Sequence, residues 1–458
     1  MVKITLVSLI IGFIVLNCHD GFGSVGGTIT VVHTDNENWN INYNLDKKVV
    51  GIMLGPETKT YHESSWNLPE NFELVSEKDG YTWLKRKDSK GFRKLSFNIK
   101  TYSEMVLYAP QPFTVFDKGV SINTGPLGFS CKVNLFGISE KIYEFLPLFT
   151  FKGAKDEKII IPGESKTENV SIPDLGSFVF FGSKDAVEET ENLQLIIDDD
   201  FPQSIQKHIA PTVKRVMAYY DKNLRHAIEK KLMIQMTYET DTTVQYLIGG
   251  NAQNNQFSGK ARGTVAEEDV EELVLMNKAF LAHEMAHIWQ VKLGEDNMRW
   301  YAEGGADLLS YRAMIDMDIM KEDYLINRIN ECFTESKTEL EKTSLEAPQI
   351  QGYPQLNYTA GMLTLIAAEF ATAADGTRDD IFKIDRELGK TSIDSLNNFP
   401  QEAFNKTLIS LGATQESVSA IEYFIHNKHE NPHKAYMNLF NKTGVKYEVN
   451  EDRLLIRE

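Results

Sequence analysis

The sequence predicts a multidomain chain with a β-sandwich-like front, an α+β middle and a mostly helical tail. Three observations carry this. Short β-type runs fill the first 185 residues or so, the apolar period changes near Pro202, and helical spacing then persists almost to the end. With 458 residues, 42% of them apolar, the chain can bury a large core and exceeds the usual size of one domain. Its 25 Phe and 18 Tyr argue against disorder.

The first element is the N-terminal run "MVKITLVSLIIGFIVLNCHD". One lysine precedes an apolar stretch from Ile4 to Leu16, the length of a secretory signal core and short for a membrane span. We expect residues 1–20 to act as a signal peptide or lipoprotein signal, with Cys18 as the candidate lipid anchor. The protein is then exported: secreted, periplasmic or held at the cell envelope. No later stretch offers eighteen consecutive apolar residues, so no integral membrane domain is expected in the mature chain. Cys131 and Cys332 remain, either as a pair or as two buried thiols. Sequons begin at Asn169, Asn357, Asn405 and Asn441 and matter only in a host that glycosylates exported proteins.

The predicted β-rich domain covers 25–188. "TITVVHT", "WNINYNL", "KVVGIML", "YTWLKR", "KLSFNIK", "EMVLYA", "KVNLFGI", "KIIIPG" and "SFVFFG" are separated by Asp, Asn, Gly and Pro clusters. This spacing favours an antiparallel sandwich or open barrel. The middle, 189–375, begins with "SIQKHIAPTVKRVMAYYDKNL", helical in spacing, with Pro211 expected to open or kink the helix. Two strands follow, "KLMIQMTYE" and "VQYLIGG". A helix over about Asp269 to Lys292 stops near Gly294, and another begins near Trp300. The tail, 376–458, is mostly helical and ends in the β-like pair "VKYEVN" and "RLLIRE".

Chemistry concentrates in "AFLAHEMAHIWQ". His283 and His287 are four apart, so a helix presents both imidazoles on one face, and two imidazoles can grip one zinc ion. Glu284 points to an adjacent direction, where a carboxylate can act on water as a general base. Sixteen residues past His287, in "RWYAEGGADLLSYR", Glu303 supplies a third ligand if two antiparallel helices meet. This set of two His and one Glu leaves a fourth position for water. Gly304, Gly305 and Ala306 should let the second helix approach the first closely. Asp307, one turn beyond Glu303, is expected to accept the remaining ring N–H of a zinc histidine. One Zn2+ per chain is the expected cofactor.

These motifs resemble the gluzincins, thermolysin-like zinc peptidases that use HExxH and a downstream Glu. "WYAEGGA" is similar to the WxxEGxA signature of the M1 aminopeptidase family and the related M61 glycyl aminopeptidase family. The resemblance implies a thermolysin-like zinc catalytic domain with His283, His287 and Glu303 as ligands and Glu284 as base. The spacing from His287 to Glu303 is a few residues shorter than in typical M1 members. The resemblance extends to "LNYTAGMLTLIAAEF", where a Tyr-x-x-Gly segment implies that Tyr358 stabilises the oxyanion. Upstream, the family's G-x-M-E-N segment has its nearest counterpart at Gly249, Gly250, Asn251 and Ala252. These residues are expected to bind substrate backbone as an edge strand. The glutamate that anchors a free amino group in that family is missing here; Glu267, Glu268 and Asp269 are the nearby acids.

The expected function is zinc-dependent hydrolysis of peptide bonds in a peptide or protein substrate, aminopeptidase-like in architecture. Two alternatives stand beside it: a catalytically silent binding or scaffold protein of the same fold, and a zinc-dependent ester or epoxide hydrolase. A formal charge of -17 and the lack of a basic block exclude nucleic acid as a partner.

Overall fold

The computed structural model describes residues 24–457 apart from 36, 56–58, 78–80, 103, 105–110, 129, 136–138, 167–169, 173–175, 225–230, 254, 294–297, 347–351, 374–379, 393–394, 397–398 and 451–452. The signal segment with Cys18, the "EMVLYA" run beyond Glu104, Asn169 and Gly294 lie outside the described residues. The chain forms two compact units. The first comprises residues 1–206 and 229–273, the second residues 207–228 and 274–458.

In the first unit, alternation of apolar and polar residues builds half-buried strands. In the strand Asn38–Val49, Trp39, Ile41, Tyr43 and Leu45 point inward and their neighbours outward. It pairs antiparallel with Gly27–Asp35 on one side and Phe92–Lys100 on the other, at the centre of a six-stranded sheet. "KVVGIML" does not form one strand. Val49 ends the first strand and Gly51–Leu54 joins a second, five-stranded sheet, so the chain changes sheets at Val50. A third sheet, also five-stranded, contains the fully buried strand Phe178–Gly182. Inward residues from all three sheets share one aromatic-rich core that includes Trp39, Phe97, Phe149 and Phe181. The pairing is not wholly antiparallel, because Thr28–Val32 runs parallel to Leu148–Lys152.

The remaining sheet of this unit is mixed. Leu193–Ile197, Leu232–Thr240 and Gln256–Gly263 are parallel, and Leu247–Gln253 lies antiparallel at the edge beside Gln256–Gly263. Leu232–Thr240 is buried on both faces over seven consecutive residues, as expected of a central strand covered on both sides.

After a short helix α1 (Lys59–Ser65) in the first unit, the long helices follow. Helix α2 (Gln203–Asn223) carries Pro211 in its interior, so this proline does not open the helix. Helices α3 (Val270–Trp289), α4 (Arg299–Asp316), α5 (Glu322–Leu340), α6 (Leu356–Ala371) and α7 (Ile381–Leu388) come next. Three further helices, at Pro400–Ser410, Gln415–His426 and Pro432–Thr443, precede the hairpin of Lys446–Asn450 and Arg453–Arg457. Among the described residues, no helix is long and apolar enough to cross a membrane. Cys131 and Cys332 are both free and buried.

Glycine sets one close approach in the second unit. A Cβ on Gly304 would stand 2.4 Å from the backbone of Gly361 and Met362, and one on Gly361 2.4 Å from the Trp300 carbonyl oxygen. Gly304 therefore brings α4 against α6 rather than against α3. Gly305 faces the Gln290 side chain instead, where a Cβ would meet Nε2 at 2.3 Å. Gly304→Ala gains up to about 1 kcal/mol of helix propensity, but it must push two backbones apart. We expect a net loss of about 1–3 kcal/mol in denaturant unfolding. Gly305→Ala should cost less, because a side chain and not a backbone must yield.

Candidate metal centre

The site is built on α3, α4 and α6, and its residues, from His283 to Tyr358, all lie in the second unit. From Ala279 to His287 every residue of α3 is buried, so this half of the helix has no solvated stripe, and its polar residues must find partners inside. The neighbouring helices fix its position. Tyr220 on α2 donates its hydroxyl to the Ala282 carbonyl at 2.9 Å, and the Trp289 indole donates to Asp221 at 2.8 Å. Where α3 ends, one oxygen of Asp385 on α7 accepts the Val291 N–H at 3.2 Å and the Tyr301 hydroxyl at 2.8 Å. This carboxylate thus ties the end of α3 to the start of α4. Burial lifts the Asp385 carboxyl to about 6, against the pull of these donors.

Within this frame, His283, His287 and Glu303 bring one ligand atom each to within 4.8 Å of one another, and all three side chains are buried. The two Nε2 atoms are 3.1 Å apart. Glu303 Oε2 lies 3.4 Å from His287 Nε2 and 3.7 Å from His283 Nε2, with no hydrogen-bond partner among the described residues. Two imidazole nitrogens and a carboxylate oxygen, dry and convergent, are donors that suit a zinc ion with a fourth position left over. An orphaned carboxylate oxygen aimed at two imidazoles is otherwise costly to bury. By donor chemistry and by geometry, the residues fit the metal.

Asp307 accepts from His283 Nδ1 at 2.8 Å, which leaves Nε2 facing Glu303 and His287. The other Asp307 oxygen accepts from Arg328 on α5 at 3.2 Å. Both oxygens of Glu284 are buried and lack hydrogen-bond partners among the described residues. Burial raises this carboxyl to about 8; the positive charge of His283 opposes the rise, and Glu303 and Asp307 add to it. Burial pushes His283 down, but the bond to Asp307 and the nearby Glu303 carboxylate outweigh it and hold the imidazole up, at about 10. Burial lowers His287. For Glu303, burial raises the carboxyl, yet the two histidines together hold it below the usual carboxylate range. Tyr358 opens α6 beside this group, its ring centroid 6.1 Å from that of His283. Burial, with Glu303 next, raises its phenol well above the ordinary value, so it stays a proton donor. The Gly304–Gly361 approach is what holds α6, and hence Tyr358, against α4.

The residues expected to bind substrate backbone lie in the first unit. Gly249, Gly250, Asn251 and Ala252 pair with Lys260, Gly259, Ser258 and Phe257, and their strand forms the edge of the mixed sheet. Glu267 and Glu268 are exposed, in the 3-10 turn that opens α3. Asp385 and Arg328 escaped the sequence reading. An acid on an amphipathic helix and an arginine between Asn327 and Ile329 carry no local signal, and only the tertiary fold brings them to the site. Among the described sequons, Asn357 is buried, Asn405 bonds Glu422, and Asn441 is exposed.

No family model matches the sequence, and a comparison with curated proteins found no match. Solved structures do match. One is a crystal structure of an aminopeptidase N family protein from Idiomarina loihiensis. It has a TM-score of 0.59 at 9% identity, over 88% of this chain and 76% of that one. Another is native yeast LTA4 hydrolase, with a TM-score of 0.51 at 11% identity, over 89% of this chain and 68% of that one. The chain thus has the multidomain fold of these proteins, with β-sheet domains in front and helices behind, as the sequence resemblance implied. At such identities the likeness establishes the fold.

If the three convergent donors bind one ion, zinc must stabilise the folded chain by mass action. Free zinc at about a hundred times its dissociation constant should add about 2.7 kcal/mol and raise the thermal midpoint. Glu303→Ala should lose most of that shift, as read by thermal denaturation with and without zinc.

Proposed function

We propose that the protein is a zinc-dependent hydrolase of peptide bonds. The observation that carries this reading is the buried convergence of His283 Nε2, His287 Nε2 and a Glu303 oxygen within 4.8 Å. These three residues hold the ion, and Asp307 fixes the ring of His283. Bound there, zinc lowers the pKa of water and polarises the scissile carbonyl.

The chain's own groups do the rest. Glu284 follows the first ligand directly and keeps both oxygens free of other hydrogen bonds, so it can take a proton from the attacking water. It later delivers that proton to the departing amine. Tyr358 donates its phenolic hydrogen to the carbonyl oxygen as negative charge develops there. The Leu247–Gln253 strand has one side unpaired by any strand among the described residues, an edge suited to an extended peptide backbone.

The aminopeptidase N fold favours a peptide with a free amino terminus. The segment Gly249 to Gln253 lacks a carboxylate to anchor that amine, so the preference is expected to be shallow. The solved neighbours also include a yeast LTA4 hydrolase, and hydrolysis of an ester or epoxide is the second reading. A panel of peptides, esters and epoxides, assayed side by side, separates the two.

Glu284→Gln should retain one zinc per chain while turnover falls by roughly 10²–10⁴. Unchanged peptide turnover in that zinc-loaded variant overturns the role of Glu284. Tyr358→Phe should lower kcat by roughly 10²–10³ with KM little changed, as steady-state kinetics would show.

A further inference from the structure

We propose that Arg328 is a positioning residue for the metal centre, acting through Asp307 on His283. The inference rests on the zinc reading above. Asp307 has two oxygens with separate duties: Oδ1 accepts from His283 Nδ1 at 2.8 Å and Oδ2 accepts from Arg328 Nη2 at 3.2 Å. A carboxylate bonded through one oxygen alone can rotate about its Cβ–Cγ bond and carry the imidazole with it. Fixing the second oxygen locks the carboxylate plane, and with it the direction in which His283 Nε2 points.

The three links come from three helices, His283 from α3, Asp307 from α4 and Arg328 from α5. Arg328 therefore braces the ligand-bearing pair from outside. Its other ion pairs do not account for its burial. Nη1 lies 3.6 Å from Glu331 and 3.9 Å from Glu335, whose side chains are 60% and 53% exposed, and pairs of that kind contribute little. The Asp307 side chain, by contrast, is 4% exposed, and that of Arg328 is 16% exposed. Losing Arg328 would strand a buried carboxylate oxygen and free the group that orients a metal ligand. The planar guanidinium matters as well as the charge, since a lysine offers a point charge on a flexible stem.

A double-mutant cycle on zinc affinity tests this, using the full chain and competition against a chromophoric chelator, with the thermal midpoint of each variant measured alongside. We expect Arg328→Met to weaken zinc binding roughly tenfold and Arg328→Lys to recover part of the loss. In an Asp307→Asn background, Arg328→Met should weaken binding no further, because the link it acts through is already broken. A lowered midpoint with unchanged zinc affinity would overturn the proposal, and so would an equal loss in both backgrounds. Should Arg328→Met fail to fold, Arg328→Lys in the same two backgrounds carries the same comparison. A wild-type chain that binds no zinc refutes the zinc reading itself and removes the basis of the proposal. Wild-type binding with an indifferent Arg328 refutes only the proposal.

Discussion

The whole site depends on keeping one carboxylate and two imidazoles together in a buried place. The groups come from two consecutive helices, α3 and α4, and packing fixes how they meet. Tyr220 and Trp289 seat α3 on α2, Asp385 gathers the end of α3 and the start of α4, and glycines at 304 and 361 let α6 close on α4. Each contact is ordinary helix packing, yet together they bring three donor atoms within 4.8 Å. Such an arrangement is unfavourable for a metal-free core, because buried ionisable groups are tolerated only when paired or coordinated.

Much of this was legible in the chain. A period of two predicted the half-buried strands, such as Asn38–Val49, and the longer period predicted α3, α4 and α6, because burial follows side-chain direction in each case. The histidine spacing and the acids downstream are local patterns, so the residues of the candidate site could be named before any geometry. What sequence could not supply was long-range pairing. The change of sheet at Val50, the parallel match of Thr28–Val32 with Leu148–Lys152 and the bond from Asp385 to Tyr301 join residues far apart in the chain. The small residues after Glu303 predict space for α3. The structure gives that space at Gly304 to α6, and the choice between two neighbours was invisible to local pattern.

The same contact explains why Tyr358 and Gly361 occur three residues apart. The glycine permits the approach of α6, and the tyrosine, one turn earlier on the same helix, is thereby placed beside Glu303 and His283. Helix packing and the placement of the phenol share one cause. The front of the chain tells a different story: its aromatic core is large and self-contained, and its mixed sheet ends in an edge strand rich in small and polar residues.

The central claim is that a single ion is bound by these three side chains. Anomalous diffraction at the zinc edge, from crystals of the metal-loaded full chain, addresses it most directly. The account predicts one peak per chain, within about 2.0–2.2 Å of His283 Nε2, His287 Nε2 and a Glu303 oxygen. A metal-loaded crystal with its zinc elsewhere, or with the Glu303 carboxylate turned away from both imidazoles, would contradict it.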